Sequence, residues 1–343
     1  MSAVIGVLTA GGDCPGLNAA IRAVVTRATE RHEAEVVGIL NGWEGLMQGR
    51  TRPLDRDSVR GILARGGTIL GTSRMDPYVH GDGYDSVRMT IERNGIDSLV
   101  VIGGDGTLSS ALKLSNEGLR VIGIPKTIDN DIAATDWTFG FDTALEIATE
   151  AIDRITTTAE SHNRIMLVEV MGRTRGWIAT YAGIAGGADA VLIPEVPYDL
   201  NEVADVIRSR HRHGHSYSVV VVAEGIEPPA LAAQQEAEVD AFGFKRLGGV
   251  AYQIAPILED LTGFETRVTV LGHLQRGGTP TAFDRVLGTR LGVAAADLAV
   301  AGTYGVMVAA RGQHIVPVPL EEACASIRGV DEATYDVAKT FFG

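Results

Sequence analysis

Leu99-Val100-Val101-Ile102-Gly103-Gly104-Asp105-Gly106-Thr107 is the stretch on which the fold turns. Its apolar, largely β-branched start reads as a buried strand. The Gly-Gly pair ends that strand, and a helical pattern follows through about Leu114. The N-terminus has the same order: a strand at Val4 to Thr9, the turn Ala10-Gly11-Gly12-Asp13-Cys14-Pro15-Gly16, and a helix from about Leu17 to Arg31. Further strands are predicted at Val36 to Leu40, Val121 to Ile124, Ile165 to Val170, Ala190 to Ile193, Ser218 to Ala223 and Val268 to Leu271. Helical patterns lie between, as at Thr143 to Thr158 and Asn201 to Arg210. Strands alternating with helices predict an α/β protein with mostly parallel sheets flanked by helices. In such a fold ligands collect at the carboxyl ends of strands, where both Gly-Gly-Asp turns fall. The 343 residues are enough for two lobes. Residues 227–244, with Pro228-Pro229 and an Ala/Gln/Glu-rich run, read as an exposed insertion.

In the Gly103–Thr107 turn, glycines allow close backbone approach, and the helix N-terminus that follows favours an anion. Asp105 would repel a bare phosphate but can hold Mg²⁺ between itself and phosphate oxygens. The turn is neither a Walker A loop nor a dinucleotide fingerprint. After Val121 to Ile124 the chain reads Pro125-Lys126-Thr127-Ile128-Asp129-Asn130-Asp131, and the proline is expected to terminate the strand. In an extended segment Thr127, Asp129 and Asp131 share one face. A hydroxyl and two acids on one face suit a phosphoryl group, a metal ion and a substrate proton. The same residues would also serve as an Asp/Asn-rich turn closing a strand.

The basic candidates are Arg164, Arg173 and Arg267 near strand ends, with His273 and Arg276 in Gly272-His273-Leu274-Gln275-Arg276-Gly277-Gly278. A His and an Arg between an apolar strand and a Gly-Gly pair form a natural phosphate site. The net charge of −13 argues against nucleic acid as a partner, though not against a small anion met by clustered arginines. Cys14 and Cys324, the only cysteines, provide neither a disulfide framework nor a zinc cluster, and Cys14 has no base beside it in sequence. No run of about 18 apolar residues exists to span a membrane, and no basic n-region precedes the first strand, so a cytoplasmic protein is expected.

Taken in order along nearly the whole chain, these motifs resemble the 6-phosphofructokinases. The carriers are Gly11 to Asn18, Leu70-Gly71-Thr72-Ser73-Arg74, Gly103 to Thr107, Pro125 to Asp131, Val168 to Arg173, Ala223-Glu224-Gly225 and Thr269 to Gly278. The Gly-Gly-Asp-Gly-Thr turn alone also occurs in NAD kinases and diacylglycerol-type lipid kinases. The Thr-Ile-Asp-Asn-Asp, Met-Gly-Arg and His-Leu-Gln-Arg-Gly-Gly segments are the specific ones.

The resemblance implies phosphoryl transfer from Mg-ATP to the C1 hydroxyl of fructose 6-phosphate. It makes Asp129 the base, Thr127 and Arg173 the groups at the transferring phosphoryl, and Asp105 the Mg²⁺ ligand. Gly12, Arg74, Met75, Gly104, Asp105, Gly106 and Thr107 would line the donor phosphates. Ile128, Met171, Gly172, Glu224, Leu274 and Gln275 would border the sugar, with His273 and Arg276 on its 6-phosphate. Arg164 and Arg267 would reach that phosphate from a neighbouring subunit, which implies a homo-oligomer, dimer or tetramer. The lobes would comprise 1–140 with about 275–325, for the donor, and about 141–274 with 326–343, for the sugar phosphate. Two positions bear on the donor. Lys126 matches pyrophosphate-using members, while Gly106 stands where those usually carry Asp, and a Gly there keeps room for a nucleotide.

Overall fold

The computed structural model describes residues 2–79, 81–227 and 248–343; the expected insertion, from Pro228 onward, lies outside them. In chain order the elements are β1 (Val4–Thr9), α1 (Leu17–His32), β2 (Glu35–Ile39), α2 (Gly42–Met47), β3 (Thr51–Leu54), α3 (Gly83–Arg93), β4 (Ser98–Gly103), α4 (Asp105–Asn116), β5 (Val121–Thr127), β6 (Phe139–Gly140) and α5 (Phe141–His162). They continue with β7 (Ile165–Val170), α6 (Trp177–Ala185), β8 (Ala190–Leu192), α7 (Leu200–Arg212), β9 (Ser218–Ala223), α8 (Val250–Thr262), β10 (Thr266–Val270), α9 (Ala282–Ala301), β11 (Val306–Arg311), β12 (His314–Pro319), α10 (Leu320–Cys324) and α11 (Glu332–Lys339). Two compact units result: Met1–Thr143 with Arg276–Arg328, and Ala144–Gln275 with Gly329–Gly343. The described residues contain no helix long and apolar enough to cross a membrane.

The first unit holds a sheet ordered β12-β11-β5-β4-β1-β2-β3, with β6 added to β5. Its central pairs are parallel; only β2–β3 and β11–β12 are antiparallel. β1 lies between β2 and β4, so successive connections leave it on opposite sides and open a topological switch point beside β4. Helices cover the sheet because its central strands are apolar throughout. Leu8, Ile39, Trp43, Leu46, Val87, Leu99, Val101 and Leu114 form one core. α9 packs closely on α1 through small residues: a Cβ at Gly292 would stand 2.6 Å from the Ala20 carbonyl oxygen.

Pro125 does not end its strand: β5 runs on to Thr127. On that flank β11 pairs only with Ile122 and Gly123, and β6 pairs with Lys126 and Thr127. Pro125 falls in the gap between these ladders, where its missing N–H breaks no hydrogen bond. Strands at Val4–Thr9, Ile165–Val170 and Ser218–Ala223 match their sequence-predicted bounds. The short β3 and β6 carry no comparable apolar run, and two prolines interrupt the run of β12.

The second unit is a four-stranded parallel sheet ordered β10-β7-β9-β8. β7 and β9 are buried along their whole length, as a strand covered on both faces must be. Glu169 is the acidic exception inside β7. Its Oε1 and Oε2 accept from the backbone N–H groups of Gly249 (2.6 Å) and Ala251 (2.9 Å) at the start of α8, which satisfies both the charge and the helix end.

α5 and α9 share their first turns. Asp284 Oδ2 accepts from the Thr143 backbone N–H (2.9 Å) and hydroxyl (2.6 Å), while the Thr281 hydroxyl donates to Asp142 Oδ2 (2.6 Å). Burial pushes the Asp284 carboxyl up from 3.8 to about 6, against the opposing Thr143 hydrogen bonds. A raised acid pKa means that the folded protein binds this proton more tightly than the unfolded chain. Stability from this group is therefore full below 3.8 and is lost as pH rises through about 6. In urea denaturation at about pH 4.5 and about pH 7.5, the stability of wild type relative to Asp284→Asn is expected to fall toward the higher pH. A pH-independent difference would contradict this.

Candidate active site

In the first unit the two Gly-Gly-Asp turns meet at the switch point, because β1 and β4 pair in register up to Thr9↔Ile102. The Ala10 N–H extends that pairing to the Ile102 carbonyl at 3.0 Å. The loop ending in Arg74 and Met75 is tied to the first turn: Gly11 N–H donates to the Ser73 carbonyl (3.0 Å) and the Thr72 hydroxyl to the Gly11 carbonyl (2.6 Å). Arg74 is exposed and Met75 half-buried.

The second turn is a strand feeding directly into a helix. Gly104 caps α4 and Asp105 is its first residue, so free N–H groups and a carboxylate stand together at the helix N-terminus. Gly103 is needed because a Cβ there would lie 2.3 Å from Thr107 Cβ. Gly106 differs: it is exposed, and no atom lies within 4 Å of where its Cβ would stand. Thr107 is buried beside Gly11, its Oγ1 3.2 Å from the Cβ position there.

Two cations grip the first turn from below. Lys126, 2% exposed, donates from Nζ to the Gly12 carbonyl, and burial pushes its pKa down. Arg276 Nη1 donates to the Asp13 carbonyl at 3.2 Å and lies against Gly12. Cys14 sits in the same turn with its thiol fully buried; burial raises its pKa to about 12, which leaves no thiolate for catalysis.

Thr127, Asp129 and Asp131 do not share a face by extended alternation. The strand stops at Thr127, the chain bends at Ile128 and Asp129, and Asn130 is left-handed at φ 50. What joins Thr127 to Asp129 is a hydrogen bond, from the Asp129 N–H to Thr127 Oγ1 at 3.0 Å. Asp129 is 7% exposed, and its Oδ1 is buried with no hydrogen-bond partner. Asp131 and the Ile128 side chain are buried as well. Sequence reasoning missed Thr138, whose N–H donates to Asn130 Oδ1 (3.0 Å) and whose hydroxyl donates to the Thr127 carbonyl (2.8 Å). Nothing in the spacing marks that residue. Among the described residues no cluster of three or more His, Cys, Asp or Glu could hold a metal by itself.

In the second unit, Met171, Gly172, Arg173 and Glu224 gather at the carboxyl ends of β7 and β9. Glu224 Oε1 accepts from the N–H groups of Gly172 (3.3 Å) and Arg173 (2.9 Å), and the Met171 N–H donates to Oε1 of buried Gln275 (2.8 Å). Arg173 takes a left-handed φ of 56, set by this turn. His273 and Leu274 are exposed just beyond β10. Arg164 and Arg267 converge on Glu265: Arg164 Nε lies 2.8 Å from Oε2, and Arg267 Nη2 bonds Oε1. The hydrogen bond from Arg164 leads in holding the Glu265 carboxyl below its ordinary value.

Glycine-rich strand-to-helix turns at a switch point, a buried carboxylate beside a hydroxyl, and cations beneath the same turns define an α/β phosphotransferase. The chain belongs to the phosphofructokinase family, whose signature, Phosphofructokinase, matches residues 4–299. It is 54% identical over 341 residues to the ATP-dependent 6-phosphofructokinase of Mycobacterium bovis, covering 99% of each chain. It is 53% identical over 340 residues to the pyrophosphate–fructose 6-phosphate 1-phosphotransferase of Amycolatopsis methanolica, again over 99% of each. The Pichia pastoris phosphofructokinase in the T-state matches with a TM-score of 0.82 and 35% identity over 99% of this chain, which spans only 36% of that longer one. A pyrophosphate-dependent phosphofructokinase of Nitrosospira multiformis, at 21% identity, shares the fold with a TM-score of 0.84 over 97% of this chain and 87% of its own.

The two turn glycines have opposite expected tolerances. Gly103→Ala should destabilise by about 1–3 kcal/mol through overpacking against Thr107. Gly106→Ala, in open space at the helix start, should leave thermal unfolding unchanged or slightly raised. Equal melting temperatures for the two variants would refute the packing reading of Gly103.

Proposed function

We propose that this chain transfers the terminal phosphoryl group of Mg-ATP to the C1 hydroxyl of fructose 6-phosphate, a cytoplasmic step of glycolysis that yields fructose 1,6-bisphosphate and ADP. The observation that carries the reading is Asp129: a buried carboxylate oxygen without a hydrogen-bond partner, in the bend just beyond β5. A base in that state is available to a substrate proton. It takes the proton of the C1 hydroxyl as the oxygen attacks the phosphoryl group. Thr127 bonds the transferring group, and Arg173 offsets its developing charge. Gly12, Arg74, Met75 and Gly104 to Thr107 hold the donor. Mg²⁺ suits Asp105, since it binds through one or two carboxylates together with substrate phosphates, and there it would neutralise phosphate charge.

On the acceptor side Met171, Gly172, Glu224 and Gln275 form one bonded turn fit to border a sugar, with His273 and Leu274 toward the 6-phosphate. Arg276, expected there too, instead bonds the Asp13 carbonyl of the first glycine turn. Arg164 and Arg267 serve a neighbouring subunit's phosphate in a homo-oligomer. β10 is an edge strand and Arg267 is half exposed, so this pair stands where a second copy can meet it.

A pyrophosphate donor is the second reading, favoured by Lys126. Against it, the Lys126 ammonium is buried and already bonded to Gly12, so its charge fixes the turn, while the open space at Gly106 leaves room for a nucleotide. Coupled assays with ATP and with pyrophosphate decide the donor; a much higher rate with pyrophosphate would overturn the choice of ATP. Gly106→Asp is expected to fold normally and lose ATP use selectively. Asp129→Asn should lower kcat by about 10²–10⁴-fold with little change in KM for fructose 6-phosphate. Retention of kcat would remove Asp129 as the base.

A further inference from the structure

The loop after Thr127 is held in a conformation it would not keep alone. Asn130 is left-handed, at φ 50, a backbone state that Asn tolerates better than most residues but that the chain does not adopt by extended alternation. Asn130 and Asp131 are buried, so their backbone carbonyls need donors from the protein. Those donors come from far along the chain, in the last residue of the first unit. The Arg328 backbone N–H donates to the Asp131 carbonyl at 2.7 Å. Its Nη2 donates to the carbonyls of Asn130 and Asp136, both at 2.9 Å. Just before it, Ile327 forms a β-bridge with Ile132. One side chain thus closes the loop across both of its ends.

We infer that Arg328 is a positioning residue for phosphoryl transfer, acting through the backbone of Asn130 and Asp131 to aim the Asp129 carboxylate. The inference rests on the reading of Asp129 as the base. A guanidinium is suited to the task because the two N–H bonds of its planar Nη2 diverge at a fixed angle toward two carbonyls, which a rotating lysine ammonium on a flexible stem does not hold.

The test is steady-state kinetics of wild type, Arg328→Ala and Arg328→Lys with fructose 6-phosphate and each donor. Arg328→Ala is expected to lower kcat about 100-fold, the scale of an ångström-sized misplacement, with donor KM nearly unchanged. Arg328→Lys should retain an intermediate kcat, and it carries the test if the alanine variant does not fold. Added guanidinium ion should restore part of the Arg328→Ala rate and none of the Asp129→Asn rate. A purely structural role would lower thermal stability and leave kcat per folded enzyme intact. That result, or kcat within about twofold of wild type in Arg328→Lys and Arg328→Ala, overturns the inference. Absence of wild-type turnover with either donor would instead overturn the proposed function, and the inference with it.

Discussion

The parallel pairing of β1 with β4 is the constraint from which the proposed donor side follows. Its register brings Thr9 opposite Ile102, so the two strands end level and their glycine turns are forced together. Every other part of the donor side is added to that pair. The loop through Ser73 bonds to the first turn, Thr107 packs under it, and Lys126 arrives from β5, the next strand over. A slip of one residue between β1 and β4 would flip their side chains and separate the turns together.

Buried charge is handled differently in the two units. In the first, Lys126 and Arg276 donate to backbone carbonyls of the first glycine turn instead of to carboxylates. In the second, Glu169 and Glu224 both accept from backbone N–H groups and fix the ends of neighbouring segments. Backbone dipoles match side-chain charges in both cases, and the partner is fixed by the fold and not by a flexible side chain.

The alternation of strands and helices was legible because apolar runs such as Ile165–Val170 and Ser218–Ala223 have no competing reading in a parallel sheet. The two glycine-rich turns were legible through glycines whose reason is local, as Gly103 against Thr107 shows. Less visible was whatever depends on a distant neighbour. Pro125 reads as a strand end, and only the gap between β11 and β6 shows why it is not. The shared face of Thr127, Asp129 and Asp131 assumed extended backbone, which Asn130 breaks while Thr138 holds the bend. Thr138 and Arg328 lie outside any motif, since they act on carbonyls and carboxamides that carry no sequence signature.

Glu265 gives the sugar-phosphate side a property of its own. It binds both arginines proposed to serve a neighbour, and therefore occupies the position of an anion they do not yet hold. This sheet edge thus presents two guanidinium groups sharing one carboxylate, a partly neutralised triplet instead of a bare cationic patch. In the proposed homo-oligomer, a sugar phosphate reaches these arginines only by displacing the Glu265 carboxylate from them, so the anion already in place sets how readily the ligand is held.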